Sequence, residues 1–173
     1  TKYDDFTIEN LRGNILIKNG TLQLSNGTLD IIGATAKMDA FYKNEGTQKA
    51  YFDYKINASE FDIKRAYNEI KMFREIVTAA ESAEGIVGLN YSIKGVLNNQ
   101  MEPIMPSLEG SGILSVKKVK MKGFKLLNVV SSKTENPDIK DPDISKVDIK
   151  TTIKNNIVTI ERFKFKVAGF RLR

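Results

Sequence analysis

The sequence predicts a mainly β (α+β) fold: a curved, partly open antiparallel sheet with one amphipathic helix at about residues 60–83. About eight or nine runs alternate apolar and polar residues, which is the period of strands buried on one face. Only one segment has helical spacing. A helix is ~10 Å wide and strands lie ~4.8 Å apart, so one helix covers about two strands. Most of the apolar face therefore needs a second cover: another sheet layer, a partner or an apolar ligand.

Short strands joined by tight turns are predicted for the first third of the chain. A strand at 11–18 is followed by Asn19-Gly20, a strong signal for a hairpin turn. The residues at 25–27 read as a second turn of the same kind. The segments 34–42 and 50–56 then alternate strictly on either side of a turn and form the clearest predicted hairpin.

One helix is predicted from about Phe61 to Ala83. Ser59-x-x-Asp62 has the form of a capping box, and Gly85 is the expected C-terminal cap. The apolar residues of this segment recur at helical spacing, so we expect them to face the core. They are Ile63, Ala66, Tyr67, Ile70, Phe73, Ile76, Val77 and Ala80.

The strands after the helix change phase twice. Apolar residues alternate over 87–93 and again from about Gly112, but their parity reverses at 117–118 and later at 161–162. In a regular strand a slip of one residue moves every following side chain to the other face. A β-bulge or strand corner restores the pattern, as does a turn between two short strands. Residues 134–145 are predicted to form an exposed loop.

The composition excludes several classes of function. The chain of 173 residues has neither His nor Cys, which removes Ser-His-Asp and Cys-His catalysis, zincin motifs and disulfide frameworks. We expect no enzyme and no cofactor; a hydrolase with paired carboxylates is the remaining enzymatic alternative, but nothing singles out a pair. The formal charge of +6 favours contact with anionic surfaces.

Two local patterns lack essential parts of the binding motifs they approach. Asp138-x-x-Asp141-x-Asp143 brings carboxylates together, but it has neither the Gly turn nor the bidentate Glu of a calcium loop. The glycines at 110–112 precede a strand and lack the spacing of a phosphate loop, so a bend or close backbone approach explains them better. We expect no metal site.

A specific order of segments distinguishes residues 59–173 from a generic β protein. A helix opening with FDIKRAYNE at 61–69 precedes a strand that begins GIVG at 85–88. A Pro-containing link and the strand SLEGSGIL at 107–114 follow. This order resembles the C-terminal region of AsmA-family proteins, especially the versions found in Bacteroidetes-type bacteria.

The resemblance implies one AsmA-like periplasmic domain over 1–173, taken from a longer chain that an outside segment tethers to the inner membrane. AsmA-like proteins are linked to outer-membrane assembly, and the similar bridge-like lipid transfer proteins curl their sheets into an apolar trough. The implied function is non-enzymatic binding and transfer of phospholipid or another envelope lipid. The alternative is a scaffold that contacts other envelope assembly proteins and conducts no lipid.

Two sets of residues are predicted to form the lipid site. The first set is apolar and is expected to line a groove: Ala50, Phe52, Tyr54, Val87, Leu89, Tyr91, Ile93, Leu114, Val116, Phe163 and Phe165. The second set is basic and is expected to face lipid headgroups: Lys117, Lys118, Lys120 and Lys122. Nucleic acid could also use such charges, but we expect none to bind. Alternating lysines on the solvent face of a strand are the plainer interpretation, since they also protect a sheet edge from aggregation.

Overall fold

An antiparallel sheet of nine strands dominates the fold. The computed structural model describes residues 2–3, 6–46, 49–122, 143–163, 165–167 and 170–172. Within them each strand of the large sheet pairs with its neighbours in sequence, from β1 to β9. The strands are β1 (Lys2–Tyr3), β2 (Phe6–Lys18), β3 (Thr21–Ile31), β4 (Ala34–Asn44), β5 (Ala50–Asp62), β6 (Ala83–Leu97), β7 (Glu109–Met121), β8 (Asp143–Lys154) and β9 (Ile157–Ile160). The sheet is open, because β1 and β9 stand at its two ends, and the predicted mainly β architecture is confirmed.

The last described strands form a separate hairpin. β10 (Phe165–Val167) pairs with β11 (Phe170–Leu172) in a two-stranded sheet. The predicted phase reversal at 161–162 falls between β9 and β10, where the chain leaves the large sheet. This reversal is therefore a connection between short strands. The predicted loop at 134–145 lies outside the described residues up to position 142. Its last three positions, 143–145, belong to β8, so the loop prediction is wrong there.

The helical segment between β5 and β6 is broken into three pieces. These are α1 (Ile63–Glu69), α2 (Lys71–Ile76) and a 3₁₀ turn (Thr78–Ser82). The breaks fall at Ile70 (φ −114°, ψ 102°) and Val77 (φ −109°, ψ 63°). A helical segment is confirmed, but one continuous helix over 60–83 is wrong. Both break residues are β-branched, so leaving helical geometry costs them little, and both still pack against the core.

The apolar stripe of this segment is predicted correctly, whereas its two ends are not. All eight predicted core-facing residues are buried or half-buried. Asp62 starts α1, because its Oδ1 accepts a hydrogen bond from the backbone N–H of Arg65 at 2.9 Å, while Ser59 lies in β5. Gly85 lies in β6 instead of capping the helix. It adopts φ 137° there, where its backbone closely approaches the carbonyl of Lys118.

The two predicted Asn-Gly turns have different outcomes. Asn19-Gly20 joins β2 to β3 with positive φ at both residues, as predicted. The turn predicted at 25–27 is wrong, since β3 continues through it. Asn26 is left-handed there (φ 53°), and its N–H donates to Asp39 Oδ1 on β4 at 2.9 Å, so the chain forms a bulge and stays in the sheet. The turn lies later, at 32–33.

The phase reversal at 117–118 is a β-bulge. The pairing of β6 with β7 passes from Ile86–Lys118 to Val87–Val116, which leaves Lys117 without a partner across β6. Val116 and Val119 are both buried on either side of it. Of the interpretations open from the sequence, the bulge is the one observed.

One face of the sheet carries the core. Register aligns apolar residues in rows across the strands; one such row contains Ala40, Tyr54, Ile93, Gly110 and Ile153. The helical segment and the link at 98–108 pack on this face. The core therefore lies between the sheet and a thin, interrupted cover.

Glycines at 110 and 112 make room for an aromatic ring in this core. An added Cβ at Gly110 would lie 3.1 Å from Cε1 of Tyr91, and one at Gly112 would overlap both the Tyr91 ring and the carbonyl of Asn90. The Gly-Ser-Gly sequence is thus explained by the close approach of the β6 backbone, as predicted, together with that of the Tyr91 ring.

Replacing Gly112 should therefore destabilise the protein. We expect Gly112→Ala to lower the free energy of unfolding by about 1–3 kcal/mol, because the ring and the neighbouring backbone must both shift. Urea unfolding followed by circular dichroism measures the change. Ser111→Ala, exposed on the same strand, is the control and should stay within about 0.5 kcal/mol. Equal midpoints for both variants would contradict the packing described.

Candidate functional site

Most of the predicted groove residues lie on the core-bearing face of the sheet. Register places those of β5, β6 and β7 side by side, as in the pairs Tyr54–Ile93 and Leu89–Leu114. Phe163 packs against the same core from beyond β9. The side chain of Phe165 lies outside the described residues. The sequence pattern therefore placed these residues on one common face of the sheet.

The centre of this face is filled by the protein itself. Phe52 is 2% exposed and belongs to a cluster that includes Leu97 and Leu108, and Met72 and Ile76 of α2 pack against it. Ala50, Val87, Ile93 and Val116 are also buried. Tyr54, Leu89, Tyr91, Leu114 and Phe163 are half-buried. At its centre, then, the predicted groove is occupied by the helical segment and the link that follows β6.

The same face continues uncovered towards the β2 edge. Ile17 pairs with Leu22, Leu22 with Tyr42, and Tyr42 with the buried Phe52, so all four share one row. Ile17 is 73% exposed, and Ile15 and Leu22 are exposed as well. These three residues, Ile15, Ile17 and Leu22, are the β2 margin. Their alternation is visible in the sequence, but nothing there shows that the cover stops short of them.

A second uncovered margin lies at the opposite end of the sheet. Val158 pairs with the buried Ile153, and Ile160 pairs with Thr151. Ile160 is 56% exposed, and Val158 is exposed too. These two residues are the β9 margin. They continue the rows that cross the core, so the apolar face extends beyond its cover at both ends.

A polar pair borders the β9 margin. The hydroxyl of Tyr91 lies 3.0 Å from Oγ1 of Thr151, the residue paired with Ile160. Burial raises the pKa of the Tyr91 phenol, and its hydrogen bond with Thr151 acts in the opposite direction. This pair supplies hydrogen-bonding capacity at the rim of an otherwise apolar surface.

The predicted basic residues lie on the other face of the sheet. Lys117, Lys118 and Lys120 are exposed, and the residues flanking them that point into the core are Val116 and Val119. Lys122 is exposed and forms an ion pair with Glu84 at 2.7 Å. The sheet itself separates these lysines from the apolar margins. The sheet therefore lies between these lysines and the headgroup of a lipid whose tail rests on a margin.

The outer face also contains a polar depression of 390 Å³. Its lining includes Lys37, Asp39, Lys55, Asn57 and Asn90. Among the described residues, no three carboxylates gather as metal ligands. Of the predicted acidic cluster, Asp138, Asp141 and the side chain of Asp143 lie outside the described residues. The depression offers hydrogen bonds but no recognisable arrangement for catalysis.

A hydrogen-bonded carboxylate holds the β2 edge in place. Asp30 on β3 accepts from Nδ2 of Asn10 at 2.6 Å and from Oγ1 of Thr35 at 2.7 Å. These hydrogen bonds, that of Asn10 foremost, lower the pKa of Asp30. Asn10 is left-handed (φ 49°) at an irregularity in the pairing of β2 with β3. The side-chain contact thus ties the irregular part of β2 to the sheet.

Comparison with known proteins identifies no relative. No family model matches the chain, and no curated protein or solved structure matches it either. No helix in the described part of the chain is both long and apolar enough to cross a membrane. The AsmA resemblance of residues 59–173 rests on the sequence motif alone.

Truncating one central and one marginal residue should distinguish core from open surface. We expect Phe52→Ala to lower the free energy of unfolding by about 3–5 kcal/mol, because the side chain is fully packed. Ile17→Ala, in the same row, should change it by no more than about 0.5 kcal/mol. Urea unfolding measures both. A small loss for Phe52→Ala would show that this residue lines an open groove instead.

The Asp30 carboxyl should titrate below its usual range. Because its pKa is lowered on folding, its contribution to stability is present above the unfolded pKa and is lost as pH falls through the folded one. We expect Asn10→Gly, which suits the left-handed backbone, to raise the pKa of Asp30 towards its ordinary value. Thr35→Val should raise it less. Carbon-detected NMR titration of the carboxyl checks both; an unchanged Asp30 in Asn10→Gly would refute the assignment.

Proposed function

We propose that this chain is a non-enzymatic lipid-binding and lipid-transfer segment, which holds acyl tails on the uncovered margins of its apolar face. One observation carries the proposal: the row of core residues through Tyr54, Ile93 and Ile153 ends in exposed Ile15 and Val158, and exposed Ile17 and Ile160 lie beside these two ends on the same face. Contiguous apolar surface of this kind in a water-exposed protein marks an interaction site.

The energetics favour an apolar ligand that needs few polar contacts. Fully burying an Ile or Val side chain is worth ~1.5–3 kcal/mol, and each buried CH₂ of an acyl chain adds ~0.8 kcal/mol. An acyl chain on a margin would cover several such side chains at once. Because this attraction is non-directional, tail binding requires no dedicated polar or catalytic residues. The Tyr91–Thr151 pair beside the β9 margin offers hydrogen bonds to the polar end of the ligand.

The AsmA resemblance supports a cellular setting for this activity. The segments at 61–69, 85–88 and 107–114 carry it. On this proposal the chain is a periplasmic part of a longer protein tethered to the inner membrane, and it moves phospholipid or another envelope lipid in support of outer-membrane assembly. It needs no cofactor.

A second candidate function is a scaffold that binds another envelope assembly protein through the β2 edge. In the described part of the chain, β1 pairs with β2 only at residues 6 and 7, so the outer edge of 9–18 has no described strand beside it. Leu16 is 60% exposed on the face opposite Ile15 and Ile17. A long edge strand with apolar side chains on both faces is suited to strand addition, in which the partner's backbone continues the sheet.

Polar substitutions on the two faces of β2 separate the candidates. We expect Ile15→Asn with Ile17→Asn to weaken binding of a pyrene-labelled phosphatidylcholine by about tenfold, equivalent to ~1.4 kcal/mol of lost apolar contact. Leu16→Asn is the matched control, because it changes the same strand on the other face. Fluorescence titration measures the affinities, and mass spectrometry of extracted lipid should find phospholipid with the purified wild-type protein.

The opposite results would favour the scaffold. No phospholipid above that of an unrelated control protein, together with equal probe binding in all variants, would refute lipid binding. Strand addition depends on both faces of β2, so it predicts that Ile17→Lys and Leu16→Lys weaken protein association alike. Sedimentation velocity of each variant over a range of protein concentrations gives that comparison.

A further inference from the structure

The bulge in β7 is matched by an irregularity in β8. Lys117 has no partner across β6, and the otherwise constant pairing of β7 with β8 passes from Val116–Val147 to Lys118–Ser145. Lys146 stands at the skipped position of β8 with left-handed backbone (φ 54°). For a residue other than Gly, Asn or Asp this conformation is uncommon and strained. Two adjacent strands are thus deformed at the same level of the sheet.

The deformation gathers lysines on one face. In a regular strand Lys117 and Lys118 would point to opposite faces. The bulge keeps Val116 and Val119 buried and leaves both lysines exposed on the outer face. Lys146 is exposed next to them on β8. We name this group the basic bulge; its members are Lys117, Lys118, Lys120 and Lys146.

Three members of the basic bulge, Lys117, Lys118 and Lys146, have no acidic register partner in the described strands, whereas Lys120 lies between Glu84 and Asp143. Glu84 forms its ion pair with Lys122 at 2.7 Å, and Asp148 accepts a hydrogen bond from Ser115 at 2.7 Å. None of the four lysines takes part in an ion pair among the described residues. Like charges on neighbouring strands repel one another and destabilise the pairing. A strained bulge that brings these three lysines together points to an anionic partner.

The form of the basic bulge selects the kind of partner. Its charges are all lysines, which lie on the exposed face of two strands and do not surround a cleft. Arginine is suited to binding one phosphate rigidly with two hydrogen bonds, whereas lysines suit a surface of many mobile phosphates. Exposed Ile86, paired across from Lys118, adds an apolar side chain at the same level. Clustered lysines with an apolar neighbour are typical of contact with an anionic lipid surface. We propose that the basic bulge docks the protein onto a bilayer surface that carries anionic lipids.

This inference does not rest on the proposed tail-binding site. The basic bulge and the apolar margins lie on opposite faces of the sheet, so either can fail while the other stands. Docked in this way, the protein would turn its apolar face away from the bilayer that holds it. The proposal therefore fixes an orientation as well as a surface.

Co-flotation with vesicles tests it. Wild-type protein should float with phosphatidylcholine vesicles that contain phosphatidylglycerol but not with pure phosphatidylcholine, and added salt should weaken the binding because exposed charges are screened. The variant Lys117→Gln/Lys118→Gln/Lys146→Gln should lose about tenfold or more in apparent affinity. Its far-ultraviolet circular dichroism and its binding of the pyrene-labelled lipid should match wild type, which shows that the fold and the tail site are intact.

A matched variant distinguishes the effect of the basic bulge from the effect of net charge. Lys37→Gln/Lys55→Gln/Lys154→Gln removes the same charge from exposed strand positions elsewhere, and it should stay within about twofold of wild type. Equal losses in the two triple variants would overturn the proposal. So would binding of wild type to soluble polyglutamate as tightly as to anionic vesicles, which would identify an acidic protein as the partner.

Discussion

The structure depends on keeping one face of a nine-stranded sheet away from water with very little covering chain. A segment of helical pieces at 63–82 and a link at 98–108 provide that cover. Breaks at Ile70 and Val77 let the pieces follow the sheet while their apolar residues stay in contact with it. The cover protects the centre and stops before both ends. The function that we propose for this face follows from the incomplete cover.

Irregular strands are the second organising feature. Bulges in β3 and β7 add residues to one strand of a pair and are held by left-handed residues or by side chains such as Asp39. Each bulge keeps the apolar residues inside and redirects the polar ones. In β7 the residues redirected are lysines, so the same device that preserves the core also creates a cationic surface. Core packing and surface charge are thus coupled through the backbone.

The two faces divide the chemistry between them. The core-bearing face ends in apolar margins that are suited to non-directional apolar contacts. The outer face carries charge and a polar depression. Among the described residues, neither face gathers three carboxylates that could hold a metal ion. On the proposals made above, the protein acts through extended surfaces, so the effect of a substitution should depend on its face and on its position along the sheet.

The sequence by itself determined the strand pattern, because alternation with a period of two depends on local residues alone. It also determined the Asn19-Gly20 turn and the apolar stripe of the helical segment. The tertiary structure decided which left-handed residues are turns: Asn26 has the same local preference as Asn19, but its contact with Asp39 keeps β3 in the sheet. It also decided exposure. Phe52 and Ile17 share one row, and only the length and path of the covering segment make one core and the other surface. Periodicity shows which face a residue lies on, but what packs above that face is set by contacts distant in sequence.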